Sequence, residues 1–216
     1  MTHSDYELVI GDKRWSSWSL RPWLLMKRLR LPFRETLIRL RQPGSAEAIA
    51  AHSPSGRIPL LKAGGLVVWD SLAIAEFIAE EHQALPVWPA DRKKRAVARA
   101  VSAEMHSGFY SLRDKMPMDF LAINAPQPIE APVAENIRRI VAIWGECRRG
   151  SGEGGDFLFG AFSAADAMFA PVATRFRTYS VDLGQFGDDG TAAAYSETLL
   201  AMPEMIEWGE GAKLEL

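Results

Sequence analysis

Three short stretches hold the residues with chemistry to offer. Residues 53–71 read SPSGRIPLLKAGGLVVWDS: an extended run over 57–62, a Gly64-Gly65 turn, a second short strand over 66–69, and a helix starting at Asp70 or Ser71. Gly-Gly between two extended runs signals a hairpin, and Asp and Ser are favoured helix caps. Pro59 removes a ladder donor at the start of a strand, which suits a sharp, cis-capable turn that bares the backbone of Ile58. That edge, together with helix-start donors beside an acid and a hydroxyl, fits an extended zwitterionic peptide. Residues 14–22, RWSSWSLRP, place Ser16 and Ser17 in a polar, aromatic loop before a helix, where serines ordinarily act as caps. Residues 105–110, MHSGFY, set His106, an acid or base near neutral pH, beside Gly108. A glycine inside a helix costs ~1 kcal/mol and points to close packing or ligand approach. No carboxylate stands at helical spacing from His106, which favours a structural or half-exposed histidine.

Composition excludes several other functions. The chain has 216 residues, 48% of them hydrophobic, enough for one large core or two modest ones. Its 25 basic and 27 acidic residues give a net charge of −2, which does not favour a nucleic-acid surface. The longest apolar runs fall short of the ~20 residues of a membrane span, and the first residues, MTHSDYELVIG, lack the pattern of a signal peptide. A single cysteine, Cys147, excludes an internal disulfide and a thiolate metal cluster and points to a reducing, cytoplasmic compartment. GxSxG, CxxC and paired metal-ligand histidines are absent, against a hydrolase, a dithiol oxidoreductase or a metalloenzyme. GSGEGG at 150–155 lacks the Lys-Ser/Thr of a phosphate loop and reads as a flexible connector.

The elements that must position these residues fall into two groups. A buried strand at 6–10 precedes the serine loop, a helix spans 20–31 with Pro22 in its first turn, and a strand lies within 33–40. A short helix at 45–51, the hairpin, and a helix over 71–83 complete a βαβ-αββα order. Two prolines in ALPVWPA mark a boundary at 84–90, giving a domain over 1–83 and a second over 91–216. The second reads as all helical: 91–116, broken at Pro117; 133–149; a buried helix from the Ser163-Ala164-Ala165-Asp166 capping box towards 179; and two shorter helices near 192–201 and 203–209.

In this order and spacing SSWSLRPW, SPSGRIPLL, WDS and FLFGAFSAADAMFAP resemble the cytosolic glutathione transferases over nearly the whole chain. The resemblance implies an α/β thioredoxin-like N-terminal domain that carries glutathione and an all-α C-terminal domain that supplies the second-substrate pocket. Pro59 matches the family's cis-proline. RWSSWSLR is most similar to the serine-type enzymes, particularly the zeta class (maleylacetoacetate isomerases), whose loop reads Ser-Ser-Cys. Trp18 stands where that class has cysteine, and the position of its C-terminal-domain arginine falls on Thr178, with Arg175 and Arg177 offset. The class therefore stays open.

By this resemblance Ser16 is the catalytic hydroxyl and Ser17 the fallback, donating to the glutathione sulfur so that the thiolate, the nucleophile, is favoured. Asp70 and Ser71 hold the γ-glutamyl amine and carboxylate, besides capping their helix. Arg57 reaches the glycyl carboxylate or is simply solvated, and Ile58 pairs by its backbone beside Pro59. Met105, His106 and Phe109 line the second-substrate pocket. The implied activity is conjugation of glutathione, the co-substrate, to a small electrophile by a metal-free homodimer engaged in detoxification. The alternatives on the same scaffold are a glutathione-dependent isomerase, an ether-cleaving enzyme, and a non-catalytic glutathione-binding stress protein.

Overall fold

Alternation along the first strand sets the N-terminal layers. In the computed structural model, which describes residues 6–150 and 154–215, strand β1 (Tyr6–Gly11) runs parallel to β2 (Arg34–Ile38) and antiparallel to β3 (Leu60–Ala63). β3 pairs antiparallel with β4 (Leu66–Trp69), so the sheet order is β2-β1-β3-β4. Successive strand residues face opposite sides of a sheet, and β1 uses both. Leu8 and Ile10 join the main core, while Val9 packs with Ile38 and Leu60 in a smaller cluster capped by Ile49. Helices α1 (Ser17–Arg28) and α3 (Ser71–Glu81) supply Leu20, Leu24, Ile74 and Ile78 to the main core. Helix α2 (Ser45–Ala50) brings Ile49 to the other face. The hairpin turn has φ of 54° at Gly64 and 90° at Gly65, the left-handed geometry a tight hairpin demands.

The C-terminal domain is helical among the described residues: α4 (Arg92–Ser107), α5 (Tyr110–Lys115), α6 (Ala131–Gly150), α7 (Ala164–Thr178), a 3-10 turn (Leu183–Phe186), α8 (Thr191–Leu200) and α9 (Pro203–Lys213). A helix that is apolar all round belongs inside, and α7 is buried along nearly its whole length. Trp144 of α6 sits at its side, edge-on to Phe169 and Phe176 of α7 and to Tyr195 of α8 at centroid distances of 5.9, 5.6 and 4.9 Å. α7 also packs directly on α1, so the two domains share one core.

Three expectations need correction. α1 begins at Ser17 rather than 20 because Ser16 caps it, which moves Pro22 from the first turn into the second. The helix expected over 91–116 stops at Ser107: Gly108 is extended and Phe109 left-handed (φ 56°), and α5 then starts afresh. A Cβ at position 108 would lie 2.7 Å from the Glu104 carbonyl oxygen, which explains the glycine without a ligand. The 3-10 turn falls between the helices expected towards 179 and near 192–201, where no element was expected. Of the connector GSGEGG, residues 151–153 lie outside the described residues.

The capping box is a buried polar hub. The Asp166 carboxylate accepts from Ser163 N–H (2.8 Å), Ser163 Oγ–H (3.1 Å), Leu158 N–H (3.0 Å) and Tyr195 O–H (2.9 Å). Burial nevertheless pushes its pKa up from 3.8 to about 6, against those four donors. Asp166→Ala is expected to cost roughly 2–4 kcal/mol in chemical denaturation, since it strands buried donors. Because the folded-state value is the higher one, the carboxyl's contribution is complete below roughly pH 4 and is lost as pH rises through about 6. Denaturation midpoints between those limits should fall with pH in the wild type, and Asp166→Asn should remove that part of the slope.

Candidate active site

The turn from β1 into α1 is tied at its own ends. The Asp12 carbonyl accepts Trp15 N–H at 3.1 Å and Ser16 N–H at 2.8 Å. Ser16 then caps the helix: its Oγ accepts Ser19 N–H at 3.4 Å and its hydroxyl donates to Ser19 Oγ at 2.7 Å. Ser19 Oγ also accepts Gly11 N–H at 3.0 Å, closing a small buried network between strand and helix. Ser17 follows as the first helical residue, and its Oγ accepts from Arg175 Nη2 of α7 at 3.1 Å.

Facing this turn is the segment ahead of β3. Ser53 Oγ donates to the Arg57 carbonyl (2.6 Å) and accepts Arg57 N–H (3.2 Å), which holds the loop tightly. The Ile58–Pro59 peptide is cis, and Ile58 lies outside the ladder, which begins at Leu60. Asp70 closes the third side with φ 79° and ψ 133°, an uncommon conformation for a non-glycine residue. Its Oδ1 caps α3 by accepting Leu72 N–H at 2.8 Å, and its Oδ2 accepts from His106 Nε2 at 2.6 Å.

These three walls enclose a cleft of about 700 Å³ lined by Ser16, Ser17, Arg57, Ile58, Pro59, Asp70 and His106, with Trp15, Trp18, Leu40 and Trp69 as its larger apolar surfaces. Residues distant in the chain and singled out from sequence thus share one cavity. Three others lie away from its lining. Ser71 is 1% exposed, its Oγ without a hydrogen-bond partner among the described residues. Met105, fully enclosed, and Phe109, 7% exposed, belong to the core, because the helical register that aims His106 at the cleft turns Met105 inward.

Sequence reasoning missed the partner of His106, since Asp70 comes from the other domain. It also missed a group of arginines around Trp18. The Arg21 guanidinium stacks 4.2 Å from the Trp18 ring centroid and that of Arg113 lies 5.3 Å from it, while His106 meets the ring edge at 5.2 Å. Arg21 is 2% exposed, and its Nε and Nη1 have no hydrogen-bond partner among the described residues. Burial, then the like charges of Arg175 and Arg113, lower its pKa to about 9, with Asp70 opposing. Burial, then Arg113, lower that of Arg175 to about 10. The sequence signal was available: an arginine inside the apolar faces of α1 and of α7 has no solvent to reach. Such a cationic region, with Asp70 as the acid acting on it, favours an anion. Cys147 offers no competing nucleophile, because burial pushes its thiol up to about 12. Among the described residues no group of His, Cys, Asp and Glu is placed to hold a metal ion.

Comparison with known proteins assigns both halves of the chain. Sequence models described as the glutathione S-transferase N-terminal domain and C-terminal domain match residues 15–81 and 96–198. A probable maleylacetoacetate isomerase of Caenorhabditis elegans is 30% identical over 105 residues, covering 49% of this chain and 48% of that protein. The chain thus matches about half the length of that relative. The maleylacetoacetate isomerase of Rattus norvegicus is 24% identical over 159 residues, covering 73% and 69%. The structure of a glutathione transferase homolog from Burkholderia gl BGR1 with bound glutathione superposes with a TM-score of 0.71 at 22% identity, covering 96% of this chain and 98% of that one.

Ser16→Ala removes a helix cap and opens the Ser19 network. It is expected to lower the denaturation midpoint by the equivalent of about 1 kcal/mol, with Ser16→Thr recovering most of the loss.

Proposed function

Because the chain belongs to the glutathione S-transferase family, we propose that its interdomain cleft binds glutathione and directs the thiolate at a small electrophile. The observation that carries this reading is the convergence of Ser16, Ser17, Ile58, Pro59 and Asp70 on one cleft. Extended backbone at Ile58 pairs with the cysteinyl residue as an added strand would. The γ-glutamyl end meets the start of α3, where the Asp70 carboxylate takes the amine and the Ser71 backbone N–H takes the carboxylate, the Ser71 hydroxyl being buried outside the cleft lining. Arg57 is exposed at the rim, within the range of the glycyl carboxylate. The thiol then lies against the serine hydroxyls at the α1 N-terminus, where the helix's partial positive charge and the nearby arginines favour the ionised sulfur. The electrophile occupies the side of the cleft walled by Trp15, Trp18 and His106.

A second reading is a glutathione-dependent isomerase acting on a maleyl-type substrate. The two maleylacetoacetate isomerase relatives support it, and so does the arginine-rich surround of Trp18, which suits a substrate bearing carboxylates. Cleft chemistry is assigned to domains over 1–83 and 91–216, joined by 84–90. Family membership supports a cytoplasmic homodimer with a detoxifying role; no described helix is long and apolar enough to cross a membrane.

Glutathione should raise the melting temperature, because a ligand selective for the folded state stabilises it. Asp70→Ala should weaken glutathione binding by roughly 1–3 kcal/mol in calorimetry, and an unchanged affinity would remove Asp70 from the site. Turnover against haloaromatics, epoxides, peroxides and a maleyl-type substrate separates the transferase from the isomerase. A monomer in sedimentation at micromolar concentration would count against the dimer.

A further inference from the structure

We propose that Ser17, rather than Ser16, is the hydroxyl that donates to the glutathione sulfur, and that Arg175 is the positioning residue that aims its proton. The proposal rests on the glutathione reading of the cleft and assigns roles within it. A serine hydroxyl has one proton to give and two lone pairs to receive. The Ser16 proton is directed to Ser19 Oγ at 2.7 Å, and its oxygen accepts Ser19 N–H. Turning that proton towards a ligand would break the network that starts α1. Ser17 is arranged in the opposite sense. Its Oγ accepts from Arg175 Nη2 at 3.1 Å, and no acceptor among the described residues takes its proton. As the first helical residue, Ser17 also has no carbonyl of a preceding helical turn beneath it, the usual acceptor for a serine within a helix. The lone pair facing α7 is occupied, so the O–H is left to the cleft that Ser17 lines.

Arg175 is suited to this one task. Its Nε donates to the Met116 carbonyl at 2.9 Å and its Nη1 to the Pro171 carbonyl at 3.0 Å, so the guanidinium is locked in place with Nη2 against Ser17. Among the described residues no carboxylate is paired with it. A guanidinium donating to a hydroxyl oxygen polarises the O–H and makes it a stronger donor to an anion. The other ionisable groups acting here are Arg21 from α1, Arg113 from α5, Tyr179 just past α7, Asp70 before α3 and His106 from α4. Arg21, Arg113 and Arg175 add positive potential, the Asp70 carboxylate reduces it, and burial raises the pKa of the Tyr179 phenol. On binding, the thiol gives its proton to solvent, and the sulfur anion receives the Ser17 O–H. No bond to the protein forms.

The test is ultraviolet titration of the thiolate of bound glutathione, with the pH profile of kcat/KM for a chlorodinitrobenzene, in Ser16→Ala, Ser17→Ala, Arg175→Met and the Ser17→Ala/Arg175→Met double variant. Ser17→Ala and Arg175→Met should each move the bound thiol's apparent pKa upward by about one unit, and the profile with it. The double variant should move it by less than the sum of the two single shifts, since part of the Arg175 effect passes through Ser17. Ser16→Ala should lower the melting temperature and move the titration by less than Ser17→Ala does. If Arg175→Met does not fold, Arg175→Lys replaces it and should retain part of the effect. Ser17→Ala alone still decides which serine donates. A titration moved by Ser16→Ala and not by Ser17→Ala overturns the assignment. Additive shifts, or an Arg175 variant that titrates like wild type, overturn the role of Arg175. In both cases glutathione would still raise the melting temperature of the wild type. If it does not, the glutathione reading itself fails and the proposal falls with it.

Discussion

The structure depends on how the turn between β1 and α1 is held from outside its own domain. The Lys13 carbonyl accepts the Trp208 indole N–H at 2.7 Å, and the Arg14 carbonyl accepts Phe120 N–H at 3.0 Å. Arg14 forms a two-pronged pair with Asp119, 2.8 Å on each arm, and Arg175 reaches Ser17 from α7. Every one of these partners comes from the C-terminal domain. A loop with buried carbonyls must satisfy them somewhere, and here the helical domain supplies the donors. The geometry of the serine turn is therefore a property of the domain interface.

Aromatic packing strengthens that clamp. Trp208 of α9 meets Trp23 of α1 edge to face at 5.0 Å, with the Lys13 ammonium 5.9 and 5.8 Å from the two ring centroids. Glu35 of β2 receives both the Lys13 ammonium (2.5 Å) and the Trp23 indole N–H (2.8 Å). The last described residues fold back as well: Glu215 accepts Lys13 N–H at 2.8 Å and its carbonyl accepts from Arg39. Edge-to-face aromatic pairs of this kind contribute about 0.5–1.5 kcal/mol beyond the area they bury. Rigidity at the turn matters because a donor serves a developing anion best when it is already oriented before the charge appears.

The cleft combines this rigid wall with a more strained one. Asp70 is held at positive φ while one oxygen caps α3 and the other is bound to His106 across the domain boundary. Such backbone strain persists only where surrounding contacts over-determine it, and the α3 cap and the α4 histidine do so here. Trp18 is edge-on to His106 and faced by Arg21 and Arg113. A tryptophan face attracts cations, so Trp18 gathers the arginines of this region.

What the sequence by itself determined is local. The apolar strand at β1, the Gly64-Gly65 turn, Asp70 ahead of α3 and the Ser163/Asp166 box each carry their structural reason within a few residues. Backbone sterics, hydrogen-bond caps and hydrophobic period act over that range, so element order and most boundaries were legible. The β1-β3 pairing and the α1–α7 contact were not legible in the sequence. Tertiary structure alone decided the rest. Asp70 found His106, Ser17 found Arg175, and Met105 turned into the core instead of the cleft. A side chain's partner across tens or hundreds of residues depends on how helices pack, and helix packing is set by the shapes of whole faces. A serine-serine pair looks the same in sequence whichever hydroxyl faces the ligand; only the packed neighbours distinguish them.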